Sequence, residues 1–232
     1  MSVPEVPRRA MLLAAGRGER LRPITDTLPK PLVEIAGKPL IVYHVEALAS
    51  AQIRDIVVNL SWLGEKIRAA LGDGRRYGVR IAYSEEGPEP LETGGGIHRA
   101  LPLLGPEPFL VVNADIWTDL DFRAVPALEE SADARLMLAP NPQHHPRGDF
   151  GLEGDLVVER DAAAFTYTGI GVYRPELFRD CGPGKFPLLP LLKRAIAARR
   201  LRGAVYRGEW LDVGSPDRLA CLDARERAAR GS

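Results

Sequence analysis

Short apolar runs alternate with amphipathic segments along the chain from Ala10 onward. Runs rich in β-branched and other apolar residues predict strands at 10–15, 56–60, 79–83, 109–113, 134–138 and 165–172. Apolar residues that recur every three or four positions predict helices over 39–51, 62–71 and 187–200. This alternation predicts an α/β fold, with a mostly parallel sheet covered by helices.

The pattern changes after Pro140, where further prolines and Gly148 interrupt the chain. A hairpin is predicted from 149–152 and 156–158, then a strand pair across 201–213. Ser215, Pro216 and Asp217 suit the start of a last helix that reaches about residue 229. We therefore predict a disordered N-terminus at 1–9 and one domain with two portions, 10–139 and 140–232. The chain lacks the hexapeptide repeats of a C-terminal β-helix.

Composition narrows the class of function. The 31 basic and 31 acidic residues balance to a formal charge of zero, which leaves no general electrostatic means of binding nucleic acid or an anionic membrane. No apolar stretch is long enough to span a bilayer. Cys181 and Cys221 are too few and too far apart for a disulfide scaffold or a zinc cluster, so a cytoplasmic protein with reduced thiols is expected.

The strongest chemical signal is the loop after the first strand. Gly16 and Gly18 let backbone N–H groups turn toward an anion without a side chain in the way. A dinucleotide fingerprint would need Gly or Ala where Leu21 stands, and the P-loop pattern has no match. The loop continues with fixed charges between prolines: Arg20, Pro23, Thr25, Pro29, Lys30 and Pro31. A phosphate-binding loop of another kind is therefore predicted.

This loop, read as G-x-G-x-R-x-x-P-x-T followed by P-K-P, resembles the signature of the sugar-1-phosphate nucleotidyltransferases. The resemblance implies a Rossmann-like nucleotidyltransferase sheet with a smaller sugar-binding β portion. It also implies that a sugar 1-phosphate oxygen attacks the α-phosphorus of a nucleoside triphosphate and that pyrophosphate leaves. The attacking monoester has a second pKa near 6, so the reaction calls for fixed cations and a metal rather than a general base.

The resemblance assigns roles to the phosphate end of the site. Arg20 would hold the leaving end of the triphosphate and Lys30 would contact the α-phosphate. The loop positions Ala15, Gly16, Gly18 and Glu19 are expected to contact the nucleotide. Asp115 ends an apolar run, at the carboxyl end of a predicted strand where ligands of open α/β sheets bind, and Asn113 shares its face. Asp212 lies in a segment that matches the family motif W-x-D-V-G-[ST]-P, and the two carboxylates suit Mg²⁺.

The segment SEEGPEPLETGGG is the expected site of base recognition by the same resemblance. Gly94 and Gly95 would let a base lie flat against the backbone. Glu85, or its neighbour Glu86, could accept the imino N–H of uracil or of guanine. The base therefore stays open between these two.

Secondary motifs, among them NPQHHPRGDF and YRGEWLDVG, resemble those of family members that act on N-acetylmuramic acid 1-phosphate. Muramic acid carries a lactyl carboxylate, so a selective enzyme should present a cation. Arg147 is the candidate and Arg207 its rival. The expected contacts to the sugar hydroxyls are Asn141 and Asp149, and those to the acetamido group are Thr168 and Gly169. The E-K-P triplet of many relatives is absent, with Glu159, Arg160 and Asp161 near its place.

These expectations combine into a cytoplasmic, Mg²⁺-dependent uridylyltransferase that makes a UDP-sugar from UTP. The sugar expected is N-acetylmuramic acid, which would place the enzyme in cell-wall recycling. A guanylyltransferase for mannose or heptose 1-phosphate is the alternative within the class. A catalytically silent subunit that binds a nucleotide-sugar is the alternative outside it, disfavoured because Arg20, Lys30, Asp115 and Asp212 are all present. The oligomeric state stays open.

Overall fold

A computed structural model describes residues 7–159 and 164–230. Its strands are β1 Arg9–Leu13, β2 Glu34–Ile35, β3 Lys38–Pro39, β4 Asp55–Leu60, β5 Arg80–Glu85, β6 Phe109–Asn113, β7 Ile116–Thr118, β8 Ala134–Pro140, β9 Gly151–Glu153, β10 Leu156–Val158, β11 Phe165–Tyr173, β12 Leu201–Val205 and β13 Trp210–Asp212. Its helices are α1 Ile24–Thr27, α2 Leu40–Ser50, α3 Gly64–Leu71, α4 Glu92–Leu104, α5 Leu189–Ala197 and α6 Pro216–Arg230.

The main sheet has the strand order β5-β4-β1-β6-β11-β8-β12-β10-β9. Strands β5, β4, β1 and β6 are parallel to one another, and β12 is parallel to β8. Strand β11 is inserted antiparallel between β6 and β8, and β10 is antiparallel to β12 and β9. Most strands of the described sheet therefore run in one direction, as the sequence predicts.

The sheet buries apolar side chains on both faces because its central strands are covered by helices. Leu12 of β1 belongs to the cluster that includes Ile41 of α2 and Ile67 of α3. Met11, its neighbour in β1, points to the opposite cluster with helices α4 and α5. The alternation along β1 thus separates two layers of core. No helix within 7–159 and 164–230 is long and apolar enough to cross a membrane.

The strand pair predicted across 201–213 is wrong. Strand β12 pairs with β8 and β10 in the main sheet, whereas β13 pairs with β7 to form a separate two-stranded sheet. Both strands pair with strands that are distant in sequence, and the surface buried in those pairings stabilises the fold more than a local hairpin would. The difference matters because β13 ends at Asp212.

The end of the predicted N-terminal segment and the predicted boundary between the two portions both fall on strands of the main sheet. Arg9 begins β1, and its guanidinium donates to the Leu104 carbonyl at 2.7 Å, so the predicted disorder does not extend to Arg9. Residues 1–6 lie outside the described part of the chain. The boundary at 139/140 falls at the end of β8, whose sheet continues on both sides. After β13 the described chain ends in α6, with no β-helix following within it.

Candidate active site

The loop after β1 folds back onto Lys30. Gly18 has a left-handed backbone with φ of 66°, and a Cβ there would lie 2.9 Å from the Lys30 Cβ. The Thr25 hydroxyl donates to the Gly18 carbonyl at 2.8 Å. A Cβ at Gly16, by contrast, would meet nothing within 4 Å. Gly18 is therefore required for packing within the loop, while Gly16 faces open space where a ligand has room.

Strands β7 and β13 bring two carboxylates together from distant parts of the chain. Asp212 pairs with Ile116 in the ladder, and the Val213 N–H donates to the Asp115 carbonyl at 3.1 Å. Asp115 directly precedes β7 and Asp212 ends β13. The small sheet therefore fixes both side chains at the same edge of the molecule.

The ammonium of Lys30 lies between these two carboxylates. Its side chain is only 7% exposed, and Nζ is 2.6 Å from Asp115 Oδ2 and 3.7 Å from Asp212 Oδ1. Arg20 approaches from the solvent side, with Nη2 at 3.5 Å from Asp212 Oδ2. The structure thus brings the four predicted catalytic residues into one cluster.

Arg218 joins this cluster without having been predicted from the sequence. Its Nη2 is 3.3 Å from Asp212 Oδ2, while its buried Nε and Nη1 have no hydrogen-bond partner among the described residues. It lies in the first turn of α6, where its N–H donates to the Ser215 hydroxyl at 3.4 Å. Three cations, Arg20, Lys30 and Arg218, therefore face two carboxylates, a net charge of +1 that suits an anionic ligand.

The two carboxylates fit a divalent cation. Lys30 shows that a positive charge can be held by Asp115 and Asp212 together. In the described residues, no group of three or more His, Cys, Asp or Glu side chains could hold a metal. These two residues would therefore supply part of an oxygen shell, as is common where Mg²⁺ also binds substrate phosphates.

A cleft of about 590 Å³, which we call the glycine-loop cleft, runs along the end of β1. Seven of the residues predicted to bind the nucleotide line it: Ala15, Gly16, Gly18, Glu19, Arg20, Lys30 and Asn113. Both Asp115 and Gly214 also line it. The predicted phosphate-binding residues are therefore contiguous around one cavity.

Glu85 does not reach this cleft. Its carboxylate pairs with Arg68 on the outer surface, whereas Glu86 lines the cleft and is only 8% exposed. Glu86 Oε1 accepts from the Asn59 amide at 2.6 Å, and Oε2 accepts from the Leu91 N–H at 2.7 Å. Successive residues at the end of a strand point to opposite sides, so two adjacent glutamates could not both face the ligand.

Asn59 extends this network to the glycine loop. Its Oδ1 accepts from the Ala14 N–H at 2.6 Å, and the residue is 3% exposed. The chain Ala14–Asn59–Glu86–Leu91 therefore connects the end of β1 to the start of α4 through two buried hydrogen bonds and one that is partly buried. Such a network holds the two sides of the cleft at a fixed separation.

The glycines at the start of α4 serve a close approach between segments. A Cβ at Gly94 would lie 2.6 Å from the Phe186 ring, and one at Gly95 would overlap the Gly184 carbonyl. Both glycines are buried, and the residue of this turn that lines the cleft is Thr93, with Glu92 beside it. The predicted contact of Gly94 and Gly95 with a base thus gains no support from their position.

Two further clefts meet the first at Asn113. The β13 cleft, of about 380 Å³, is bounded by residues that include Asp115, His144, Thr168, Gly169 and Asp212. The α5 cleft, of about 990 Å³, includes Asp149, Phe150, Tyr167, Leu189 and Lys193. Asn113 lines all three clefts. A group bound at Asn113 could therefore contact ligands in each of them.

The Asn113 amide is set by Gly169. Gly169 has φ of +79°, and a Cβ there would lie 2.6 Å from Asn113 Nδ2. The position falls in a register irregularity of the β11–β8 ladder, between Tyr167 and Gly171. The Thr168 hydroxyl is buried and donates to the Met137 carbonyl at 2.8 Å. Gly169 therefore shapes the site by close approach, and Thr168 by holding β11 against β8.

The other predicted sugar-side residues, Asn141 and Asp149, form hydrogen bonds within their loop and to strand β11. Asn141 Oδ1 accepts from the Thr166 hydroxyl at 3.0 Å, and its Nδ2 donates to the Pro146 carbonyl. Asp149 lines the α5 cleft, and its Oδ2 accepts from the Tyr167 N–H at 2.8 Å. Arg147 is exposed in the intervening turn, outside the lining of both sugar-side clefts.

Two further predictions concern Arg207 and the segment that stands in place of E-K-P. Arg207 is exposed between β12 and β13, apart from the lining of the three clefts. Of the segment in place of E-K-P, Glu159 lines the α5 cleft, while Arg160 and Asp161 lie outside the described residues.

A buried histidine supports the carboxylate edge from behind. His44 of α2 is 3% exposed, and its Nε2 lies 2.8 Å from the Ile116 carbonyl. Burial lowers the pKa of His44 to about 4, because the charged imidazolium would lose its hydration there. The neutral ring therefore donates to the first residue of β7 and fixes the turn that carries Asp115.

Comparison with known proteins identifies the family. The family model described as nucleotidyl transferase matches residues 9–155, more than half of the chain. The chain belongs to the nucleotidyl transferase family. The nucleotidyl transferase match covers the glycine loop and Asp115, while Asp212 lies beyond its end.

Two relatives match almost the whole chain. An N-acetylmuramate alpha-1-phosphate uridylyltransferase of Neisseria meningitidis serogroup B is 50% identical over 219 residues, with 91% of this chain and 95% of that protein covered. The protein of the same description from Caulobacter vibrioides is 40% identical, with 95% and 98% covered. The resemblance found from the motifs is thus confirmed over the length of the molecule.

The fold is shared with a solved nucleotidyl transferase. The structure of an inositol-1-phosphate CTP transferase from T. maritima superposes with a TM-score of 0.77 at 19% identity, and 99% of each chain is covered. Identity at this level shows the fold alone. It confirms the predicted helix-covered sheet of the nucleotidyl transferase family.

Proposed function

We propose that this protein transfers a uridylyl group from UTP to N-acetylmuramic acid 1-phosphate, with release of pyrophosphate. The observation that carries the proposal is the meeting of three clefts at Asn113, beside the Lys30–Asp115–Asp212 cluster. The names of the two relatives that match over nine tenths of the chain support the choice of base and sugar.

The triphosphate would lie in the glycine-loop cleft. A Cβ at Gly16 would meet nothing within 4 Å, so the loop backbone is open to a ligand there, and Arg20 and Arg218 stand at the same end of the site. Arg20, whose side chain is 67% exposed, can reach toward the leaving β- and γ-phosphates. A guanidinium can bind two phosphate oxygens at once, so it stabilises the charge that develops on pyrophosphate.

The sugar phosphate would meet the α-phosphorus at Lys30. A phosphate oxygen of the sugar 1-phosphate forms the new bond to the α-phosphorus, while the bond from that phosphorus to the pyrophosphate oxygen breaks. The electron pair of the broken bond leaves with pyrophosphate. Because the monoester is largely ionised at neutral pH, no residue has to remove a proton. Lys30 would then place one positive charge between two anionic groups that otherwise repel each other.

Asp115 and Asp212 would hold Mg²⁺ at this point. The ion would supply charge that offsets the phosphates where they meet. Lys30, whose ammonium lies where both carboxylates converge, would stand beside the ion and contact the phosphates.

Base recognition would fall to the Glu86 side of the glycine-loop cleft. The Glu86 carboxylate already accepts two hydrogen bonds, yet an ionised carboxylate has about four lone-pair sites, so it can accept an imino N–H as well. This capacity suits uracil and also guanine. Uracil is preferred here because both relatives are named for uridylyl transfer.

Cytoplasmic action is part of the proposal, since Cys181 and Cys221 are both free thiols.

A screen of pyrophosphate release tests this proposal. The four nucleoside triphosphates are each combined with the 1-phosphates of N-acetylmuramic acid, N-acetylglucosamine and mannose, with and without a chelator. UTP with the muramic substrate should give the highest kcat/KM, and the chelator should stop it. A preference for GTP with mannose 1-phosphate would establish the guanylyltransferase alternative. Binding of UDP-sugar without release from any pair would establish the silent subunit instead.

A further inference from the structure

We infer that Lys193 of α5 binds the carboxylate of the substrate's lactyl group. This inference rests on the proposed function. Lys193 lies at the middle of α5 and belongs to the lining of the α5 cleft, and it is absent from the lining of the other two clefts. It therefore stands on the part of the cleft that lies away from the carboxylate cluster, where the far side of a sugar would be.

The charges of the α5 cleft single out this side chain. Among the described lining residues, Lys193 is the one with a positive charge, whereas Glu92, Asp149 and Glu159 are acidic. Carboxylates accept hydrogen bonds from hydroxyl and amide groups, so they suit the neutral parts of an amino sugar. An anionic substituent in such a cleft is attracted to the lysine, the positive charge among these lining residues, and repelled by the three carboxylates.

The cation has an apolar neighbour that matches the rest of the substituent. Leu189 is four positions before Lys193 on α5, so the two side chains lie on the same face of the helix. Leu189 is 48% exposed and lines the cleft, an unusual exposure for a large apolar side chain in this molecule. A lactyl group has a methyl and a carboxylate on one carbon, and the pair Leu189–Lys193 presents a matching apolar and cationic surface.

Lys193 can exchange its present partner for a ligand. Its Nζ is 3.0 Å from Glu159 Oε1, and both side chains are more than half exposed, at 55% and 53%. A pair this exposed contributes little to stability and is easily separated. An ammonium has three donors, so it can also keep Glu159 while it binds a second carboxylate.

A cycle of residue and ligand changes tests the inference. Kinetics of UTP-dependent turnover are measured with N-acetylmuramic acid 1-phosphate and with its lactyl methyl ester, which keeps the shape but removes the charge. The wild-type protein should prefer the acid by about tenfold in kcat/KM, expressed mainly in KM. In Lys193→Gln the preference should fall to within about twofold, and Lys193→Arg should restore most of it.

The matched control is Glu159→Gln, which removes the opposing charge and should shift the KM for the acid in the opposite direction, about twofold to threefold lower. Arg147→Ala should keep the preference for the acid, since Arg147 lies outside the cleft lining. A preference retained in Lys193→Gln, or lost in Arg147→Ala, would overturn the inference while leaving uridylyl transfer established. No turnover of the muramic substrate by the wild-type protein would instead overturn the proposed function itself.

Discussion

At the glycine-loop end of the site, several charged side chains contact one another, whereas at the α5 end Lys193 and Glu159 form one exposed ion pair and Asp149 is bonded to backbone. Lys30 contacts Asp115 and Asp212 directly, and Arg20 and Arg218 add to the same cluster. By contrast, Asp149 accepts a hydrogen bond from the Tyr167 backbone.

The difference follows from the ligands that the two ends would bind. Every nucleotidyl transfer involves phosphate groups, so one arrangement of charges suits them all. A sugar varies, and its recognition depends on surface shape and on one or two side chains. Residues that bind phosphate can therefore be predicted from a motif, whereas residues that select the sugar have to be found from their position in the structure.

The largest effect should come from the carboxylate cluster. In Asp115→Ala, one of two residues proposed to hold the metal is lost and Lys30 loses its 2.6 Å partner, so kcat should fall by about 10³-fold. The measurement is pyrophosphate release, with circular dichroism to show that the fold persists. Asp121→Ala is the control, because Asp121 pairs with Arg123 on the surface. Turnover near the wild-type level in Asp115→Ala, with a chelator present, would remove the metal from the proposal.

Arg20→Lys should have the next largest effect. The substitution keeps the charge and removes the planar pair of donors, so kcat should fall by about 10²-fold, the low end of what such arginines contribute. Steady-state kinetics with varied UTP and sugar phosphate separates the two substrates. An unchanged kcat with a higher KM for the sugar alone would place Arg20 at the other end of the site.

Gly169→Ala probes the boundary between the two ends. A Cβ 2.6 Å from the Asn113 amide should displace that side chain and lower kcat/KM by about 10- to 100-fold. Gly154→Ala is the matched control, because Gly154 has a similar φ of +62° but open space around its Cβ. Both variants should lose about 1–3 kcal/mol of unfolding free energy to backbone strain, measured by urea denaturation. Equal kinetics in the two variants would show that Asn113 has no part in catalysis.

His44 should affect stability at acid pH rather than turnover at neutral pH. Its pKa of about 4 in the folded protein lies below 6.5, so below pH 6.5 the unfolded chain binds a proton that the folded chain does not. The unfolding free energy should therefore decrease as pH falls from 6.5 to about 4, by about 3 kcal/mol from this residue.

Urea denaturation at several pH values measures this loss. His44→Gln keeps a donor for the Ile116 carbonyl and cannot titrate. The difference in unfolding free energy between wild type and variant should shrink toward pH 4. A constant difference across that range would mean that His44 titrates normally.

The central strands, and the four residues that the structure brings together at Lys30, have local signals in the sequence, while the catalytic roles of those residues stay predictions. The run that ends in Asp115 is apolar and continuous, and the loop around Gly18 is specific to its family. The pairing of β13 with β7 depends on which distant strand is free, which no local pattern contains. The choice between Glu85 and Glu86 depends on where the strand ends, to within one residue. Lys193 lies on a helix among other charged residues, so the sequence alone cannot distinguish it from a solvated side chain.

The β7–β13 ladder also sets the order in which the protein becomes active during synthesis. Asp115 and Asp212 are 97 positions apart, and Asp212 belongs to the last strand before α6. Since a chain emerges from the ribosome N-terminus first, β1, β4, β5 and β6 can pair long before β13 is available. The nascent chain would hold a formed glycine loop and only one of the two carboxylates. A nascent chain that lacks β13 therefore lacks one of the two carboxylates proposed to hold the metal.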